Sequence, residues 1–248
     1  KLINSGEFDG LNFKKAFKES KGKYVAFLDS DDLWLPHKLE ILHAKIQSEP
    51  QHCVYSHDYQ IISTTGKRKY VQCGPKRKCN TTLYKCLLLN GNVLSTSGTV
   101  VHREILNKVG CFSEDVNLVT VEDYDLWLRL AQFCTFKFVN QNLGSVTRHE
   151  SNASGNVELH LKNTLHLFNT HLNNLKAVHG IKRIPNEKWR RSDILYGAAR
   201  QHYAQNNLQK AITLLGKSVR TYPFHIKTYI GVLSVITKLM FRSKRYTD

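Results

Sequence analysis

The chain has 248 residues, 41% apolar and 23% charged, a balance that fits a soluble globular protein with a real core and excludes disorder, collagen-like repeats and a disulfide-stapled miniprotein. Its net charge of +16 is uneven: residues 1–150 hold 20 Lys and Arg against 16 Asp and Glu, whereas residues 151–248 hold 16 against 4. The basic second part is either a solvated helical surface or an invitation to an anionic partner such as a membrane face, nucleic acid or an acidic substrate.

In chain order, Phe13, Ala16, Phe17 and Ser20 recur at helical spacing, and Gly22 sits where a helix would stop. Lys23 to Leu28 is a short apolar run that predicts a buried strand, and it ends in Asp29-Ser30-Asp31-Asp32. Pro36 to Ile46 predicts a helix with Leu39, Leu42 and Ile46 on one side. Cys53 to Ile62 predicts a strand, Thr65 to Lys78 a polar basic loop, Gly98 to His102 a strand and Val121 to Phe133 a helix. Helices alternating with buried strands imply an α/β sheet, in which ligands collect at the carboxyl ends of strands.

After His149 the pattern is helical. Val157, Leu161, Leu165, Phe168, Leu172 and Leu175 form one apolar stripe on a long helix. Ala199, Ala211, Ser218 and Pro223 fall on the small-residue and proline positions of a tetratricopeptide-like unit of about 34 residues counted from Ser192, a single helical hairpin rather than a solenoid. The expected division is therefore residues 1–155, α/β, and residues 156–248, basic and α-helical. The best candidate for a membrane span, Thr228 to Thr237, is ten residues between Lys227 and Lys238, too short to cross. Flanked by Lys227, Lys238, Arg242, Lys244 and Arg245, the apolar stretch Tyr229 to Phe241 has two readings. It is either a peripheral contact with an anionic cytoplasmic membrane face or a terminal helix burying Ile230, Leu233, Ile236 and Leu239.

The six cysteines include no C-x-x-C pair and read as reduced thiols of a cytoplasmic protein. Cys73, Cys79 and Cys86 cluster in the basic loop, a zinc alternative without the usual ligand spacing. The sequons at Asn80 and Asn152 occur at about the chance rate.

Two acidic clusters carry the chemistry. Three carboxylates in Asp29 to Asp32 repel one another, which a divalent ion would relieve; Mg2+ or Mn2+ takes one or two carboxylates plus phosphate oxygens and water. The alternative is an Asx-turn or a helix N-cap, with Ser30, Asp31 or Asp32 capping a helix from about Leu33. In the second cluster, Glu122 to Arg129, Thr120 and Asp123 fit a capping box and Asp125 can pair with Arg129 at i,i+4. Structural reasons thus account for every acid of this cluster taken alone.

The two segments together, Lys23 to Glu40 (K-Y-V-A-F-L-D-S-D-D-L-W-L-P-H-K-L-E) and Glu122 to Leu130 (E-D-Y-D-L-W-L-R-L), resemble the DxD and E-D segments of inverting glycosyltransferases of family 2. Asn4 to Asn12, Gly110 to Asp115 and the basic Arg148 to Ser154 are similar to flanking segments of that family, so the resemblance covers about residues 1–155. It implies a GT-A, Rossmann-like sheet and a metal-dependent transfer from a nucleotide-sugar donor to a saccharide or lipid-linked acceptor, the chemistry of polysaccharide biosynthesis. By the same resemblance Asp29, Asp31 and Asp32 are on the donor side, Asp31 and His149 hold the metal, Asp123 is the catalytic base and Glu122 is on the acceptor side. Displacing a nucleoside diphosphate needs charge stabilisation on the leaving group and a base on the opposite face. A positive helix end is expected to keep Asp123 ionised. The family's opening strand, P-x-Y-N turn and acidic second strand do not precede Lys1. The chain is therefore expected to be an N-terminally incomplete fragment, inactive alone. The rival expectation is a non-catalytic interaction module whose basic tail binds a membrane or nucleic acid; no RNP run or helix-turn-helix signature favours nucleic acid, and no Gly-rich phosphate loop favours a phosphotransferase.

Overall fold

The computed structural model describes residues 10–75, 81–148 and 155–244. Cys79, Asn80, His149 and Asn152 lie outside them. The chain divides into two compact units, Lys1–Gly155 and Asn156–Asp248.

The first unit is mixed α/β, the expected class. Its elements are α1 (Gly10–Glu19), β1 (Tyr24–Ala26), β2 (Leu33–Trp34), α2 (Lys38–Ser48), β3 (Val54–Ser63), β4 (Arg68–Val71), α3 (Leu83–Asn90), β5 (Thr99–His102), α4 (Arg103–Val109), a 3-10 turn (Val116–Leu118), α5 (Glu122–Leu130) and β6 (Phe136–Arg148). The sheet runs β1-β5-β3-β6-β2, with β4 also on β3. Only β3 and β6 are parallel; the other pairs are antiparallel. Register slips at His57/Asp58 and Asp58/Gln60, where β3 bulges against β6.

Burial explains why these segments become these elements. The first half of β3, Val54 to Asp58, is wholly buried, as its apolar start demands. Leu42 and Ile46 of α2 pack on Tyr55, Val100, Val139 and Leu143 as one core cluster. The third inward position of α2 is Lys38 rather than Leu39, which is 55% exposed. The Lys38 ammonium reaches the Ser97 carbonyl at 2.5 Å and lies 3.9 Å over the Trp34 ring, and that anchor sets the rotation of the helix. The predicted loop Thr65 to Lys78 contains β4, whose largely exposed residues give it no apolar alternation to read. The short β2 follows the acidic turn where a helix was the alternative, and it lies so close to β6 that a Cβ at Gly144 would sit 2.8 Å from the Leu33 carbonyl oxygen.

Phe27, just beyond β1, fixes what comes next. Its ring packs edge-on to Phe112 at 5.3 Å and tilts against Trp127 of α5 at 6.1 Å, while Phe13 of α1 stacks on Phe112 at 4.6 Å. The turn that begins two residues later is thereby held beside the start of α5.

The thiols depart from expectation at one position. Cys53, Cys73, Cys111 and Cys134 are free, but Cys86 is disulfide-bonded, so the reading of six reduced thiols is corrected there. Cys86 therefore offers no thiolate for zinc, and the Cys73 thiol is buried against Ser56 and the Val93 carbonyl.

The second unit is helical: α6 (Val157–His179), α7 (Glu187–Ala204), α8 (Leu208–Thr221) and α9 (Ile226–Lys244). Asn156 caps α6 by accepting the Leu159 N–H, and Gly180 ends it in the left-handed conformation. Ala199, Leu208, Ala211, Leu215 and Val235 form the core of α7, α8 and α9. Their small residues allow close approach, and a buried chain of hydroxyls from Ser192 through Ser218 to Thr228 and His225 bridges the three helices. Ile230, Leu233, Ile236 and Leu239 are 58%, 64%, 44% and 43% exposed, so the reading in which α9 buries them is wrong. The helix packs through Thr228 and Val235 instead and leaves that stripe to solvent. No helix among the described residues is long and apolar enough to cross a membrane.

Candidate active site

The acidic turn is built on main-chain bonds. Asp32 N–H donates to the Asp29 carbonyl at 3.1 Å and closes the turn. Asp29 N–H donates to the Ser97 hydroxyl at 2.9 Å, and the Ser97 carbonyl accepts both Trp34 Nε1 at 2.8 Å and Lys38 Nζ. Asp32, 7% exposed, accepts the Thr147 N–H of β6 at 2.9 Å. The capping alternative is thus overturned: α2 starts only at Lys38, and its N-cap, His37, makes no side-chain cap bond.

The second cluster opens α5. Its N-cap is Val121, without a side-chain cap bond, rather than the expected Thr120. Asp123 instead accepts Tyr124 N–H at 2.6 Å on Oδ1, and Asn92 Nδ2 at 3.1 Å and Thr96 Oγ1 at 3.4 Å on Oδ2. Asp125 pairs with Arg129 Nε at 2.7 Å, as expected; Arg129 also donates to the Val109 and Cys111 carbonyls, so this acid belongs to the scaffold. Glu122 is buried, and its Oε2 has no hydrogen-bond partner among the described residues.

The two clusters meet. Burial, followed by the charges of Asp32, Asp123 and Asp31, raises the Asp29 carboxyl to about 7. Burial, then Asp123 and more weakly Asp29, raises Glu122 to about 7. Burial also pushes Asp123 upward, against the lowering effect of its hydrogen bonds, so the expectation that its surroundings simply favour the ionised form is corrected. Arg148, at the end of β6, stands close enough to lower the pKa of Tyr59, which also feels Asp123 and Asp32. His149 lies outside the described residues.

Beneath the turn, burial lowers Lys38 to about 7, and burial lowers His57 to about 4. Among the described residues no three His, Cys, Asp or Glu side chains are grouped to hold a metal ion on their own. Sequence reasoning missed Ser97, Thr96, Asn92 and Lys38. The small polar run Ser95-Thr96-Ser97-Gly98 before β5 was a signal for the first two, and a lysine at i−4 from Leu42 was one for the last.

A carboxyl raised in the folded state contributes stability that is fully present below its unfolded pKa and is lost as pH rises through the folded one. For Asp29 that window runs from about 4 to about 7. Asp29→Asn should therefore gain stability over the native chain as pH rises from 5 to 8. Allowing for shared titration within the cluster, the gain is on the order of 1 kcal/mol, about 2–4 °C in thermal melts. A difference independent of pH would contradict the placement of Asp29 among other acids.

Residues 9–110 match the family described as glycosyl transferase family 2. An uncharacterized glycosyltransferase of Nostoc sp. is 32% identical over 111 residues, covering 44% of this chain and 34% of the relative. One from Rickettsia felis is 25% identical over 184 residues, covering 72% of this chain and 29% of the relative. The chain thus spans about a third of the length of these curated relatives. Among solved structures it is similar to S. aureus TarS in complex with UDP, with 17% identity, a TM-score of 0.43, and coverage of 86% of this chain and 60% of that one. The similarity to glycosyl transferase family 2 thus lies in residues 9–110, within the first unit.

Proposed function

We propose that the α/β unit transfers a sugar from a nucleotide-sugar donor to a hydroxyl of a saccharide or lipid-linked acceptor, inverting the anomeric carbon. The observation that carries this reading is the meeting of two acid clusters, far apart in sequence, at one end of β1 and at the start of α5. One cluster can serve a leaving diphosphate and the other an attacking hydroxyl. Asp123 accepts the acceptor's proton as the hydroxyl oxygen bonds to the anomeric carbon and the bond from that carbon to the diphosphate oxygen breaks. Asn92 and Thr96 hold the Asp123 carboxylate in place, which limits its freedom. Glu122, with its unpartnered Oε2, orients the acceptor. Asp29 and Asp31 meet the donor, and Asp32 supports them by fixing the turn to β6.

The crowding of these acids fits Mn2+ or Mg2+, held by Asp31 with His149 and by diphosphate oxygens rather than by a cage of protein ligands. When bound, such an ion neutralises charge on the leaving diphosphate.

In the native protein, Asp123→Asn should lower kcat by roughly 10²-fold or more with donor affinity nearly unchanged. Near-normal turnover in Asp123→Asn together with its loss in Glu122→Gln would move the base to Glu122. Retention by both variants would remove this helix from the chemistry.

We further propose that α9 rests on an anionic bilayer. Its exposed apolar stripe, Ile226, Ile230, Leu233 and Met240, lies on a unit with 16 basic against 4 acidic residues. The cytoplasmic leaflet carries the anionic lipids and is the face proposed, although the Cys86 disulfide stands against a fully reducing compartment. Vesicle flotation at low salt should enrich the native chain on anionic over neutral vesicles, and Leu233→Asp should abolish that. Equal flotation on both vesicle types, or no loss in Leu233→Asp, would reject it.

A further inference from the structure

The helical unit holds a cavity of about 280 Å3 that the transfer reaction does not use. Thr164 of α6, Arg190, Asp193, Gly197 and Arg200 of α7, and Lys227 at the start of α9 are among its walls. Three of these are cations and one is an acid, and the acid is already engaged: Asp193 Oδ2 is 2.9 Å from Arg190 Nη1, and its Oδ1 is 3.6 Å from His225 Nε2. Arg200 and Lys227 have no acidic partner among the described residues. Arg200 lays its guanidinium on the Tyr196 ring at 5.9 Å.

Two independent features point to a ligand. Arg190 is only 8% exposed, yet its Nε has no hydrogen-bond partner among the described residues. A buried guanidinium donor left unmade is costly unless something else accepts from it. Gly197 sits in the middle of α7, where glycine costs about 1 kcal/mol relative to alanine. A Cβ there would meet nothing within 4 Å, so packing does not require the glycine. Gly197 is exposed where it lines the cavity, so a side chain there would enter its open side.

We propose that this cavity is a binding site for a phosphate monoester. Two uncompensated cations plus a free guanidinium N–H suit a group that carries about −1.5 to −2 charge and three acceptor oxygens better than a carboxylate with one charge. The volume falls just below the roughly 300 Å3 of small-molecule sites, so it admits the ester with a short carbon body and little more. That body belongs either to a soluble phosphate ester or to the headgroup of a phosphomonoester lipid. This inference is independent of the transfer reaction, and its test reads binding alone.

Calorimetric titration of the whole chain with glycerol 3-phosphate at fixed ionic strength should show saturable one-site binding. Gly197→Phe, which fills the cavity and leaves every charge in place, should weaken it at least about tenfold, and the double variant Arg200→Gln/Lys227→Gln should do the same. Thermal melts and circular dichroism check that both variants remain folded; the double variant decides if Gly197→Phe does not. Release of the chain from phosphatidic acid vesicles by glycerol 3-phosphate would identify the lipid headgroup as the source. Binding of the ester that leaves attachment to those vesicles unchanged would identify the soluble one. Absence of saturable binding by the native chain, or unchanged affinity in the folded variants, would overturn the site.

Discussion

Crowding of like charges at the end of β1 is the constraint on which the rest of the first unit depends. Burial, then the charges of Asp32, Asp123 and Asp31, raises Asp29, and burial, then Asp123 and more weakly Asp29, raises Glu122. Such a cluster persists only when the surrounding structure dictates its position. Here Ser97 does much of that work: its hydroxyl accepts the Asp29 N–H, and its carbonyl gathers Trp34 and the buried Lys38. Thr147 holds the far end of the turn through Asp32. The turn is fixed by the main chain of β6 and by Ser97 of the loop before β5, leaving Asp29 and Asp31 half-buried rather than capping a helix.

The same logic explains why the scaffold looks as it does. The aromatic contacts of Phe27 with Phe112 and Trp127 bring the strand end to α5, so a three-residue strand suffices to deliver the turn. Asn92 and Thr96, on the stretch between α3 and β5, then supply neutral donors to Asp123. Loops give the site its polar contacts, and buried strands and aromatic rings give it rigidity. The second unit follows a different rule, with small residues and a hydroxyl chain letting its helices close together while one face of α9 stays apolar and open.

Much of this was legible in the sequence where periodicity is strong. The apolar Lys23 to Leu28, the buried start of β3 and the stripe of α6 became strand, strand and helix with ends shifted by a few residues. β6 was not legible, because Asn140, Gln141, Asn142 and Gly144 interrupt its apolar alternation where it faces the bulge of β3. β4 was hidden by its exposed, charged residues. At the site, the acids announced themselves by their density, but whether they capped helices or met in space depended on long-range contacts no local pattern encodes. Lys38 shows the limit best: a lysine on a helix reads as solvated, and only the carbonyl of Ser97, 59 positions away, makes its burial sensible.

In the proposed transfer reaction the two acid clusters serve one divalent ion and one diphosphate. Paramagnetic broadening by Mn2+, with inorganic pyrophosphate standing in for the donor's diphosphate, tests it most directly on the isotope-labelled chain. Amide signals of residues 29–32 and of 122–124 should broaden together at substoichiometric Mn2+, and Asp31→Asn should remove both effects. Broadening confined to one cluster, or persisting unchanged in Asp31→Asn, would contradict the account.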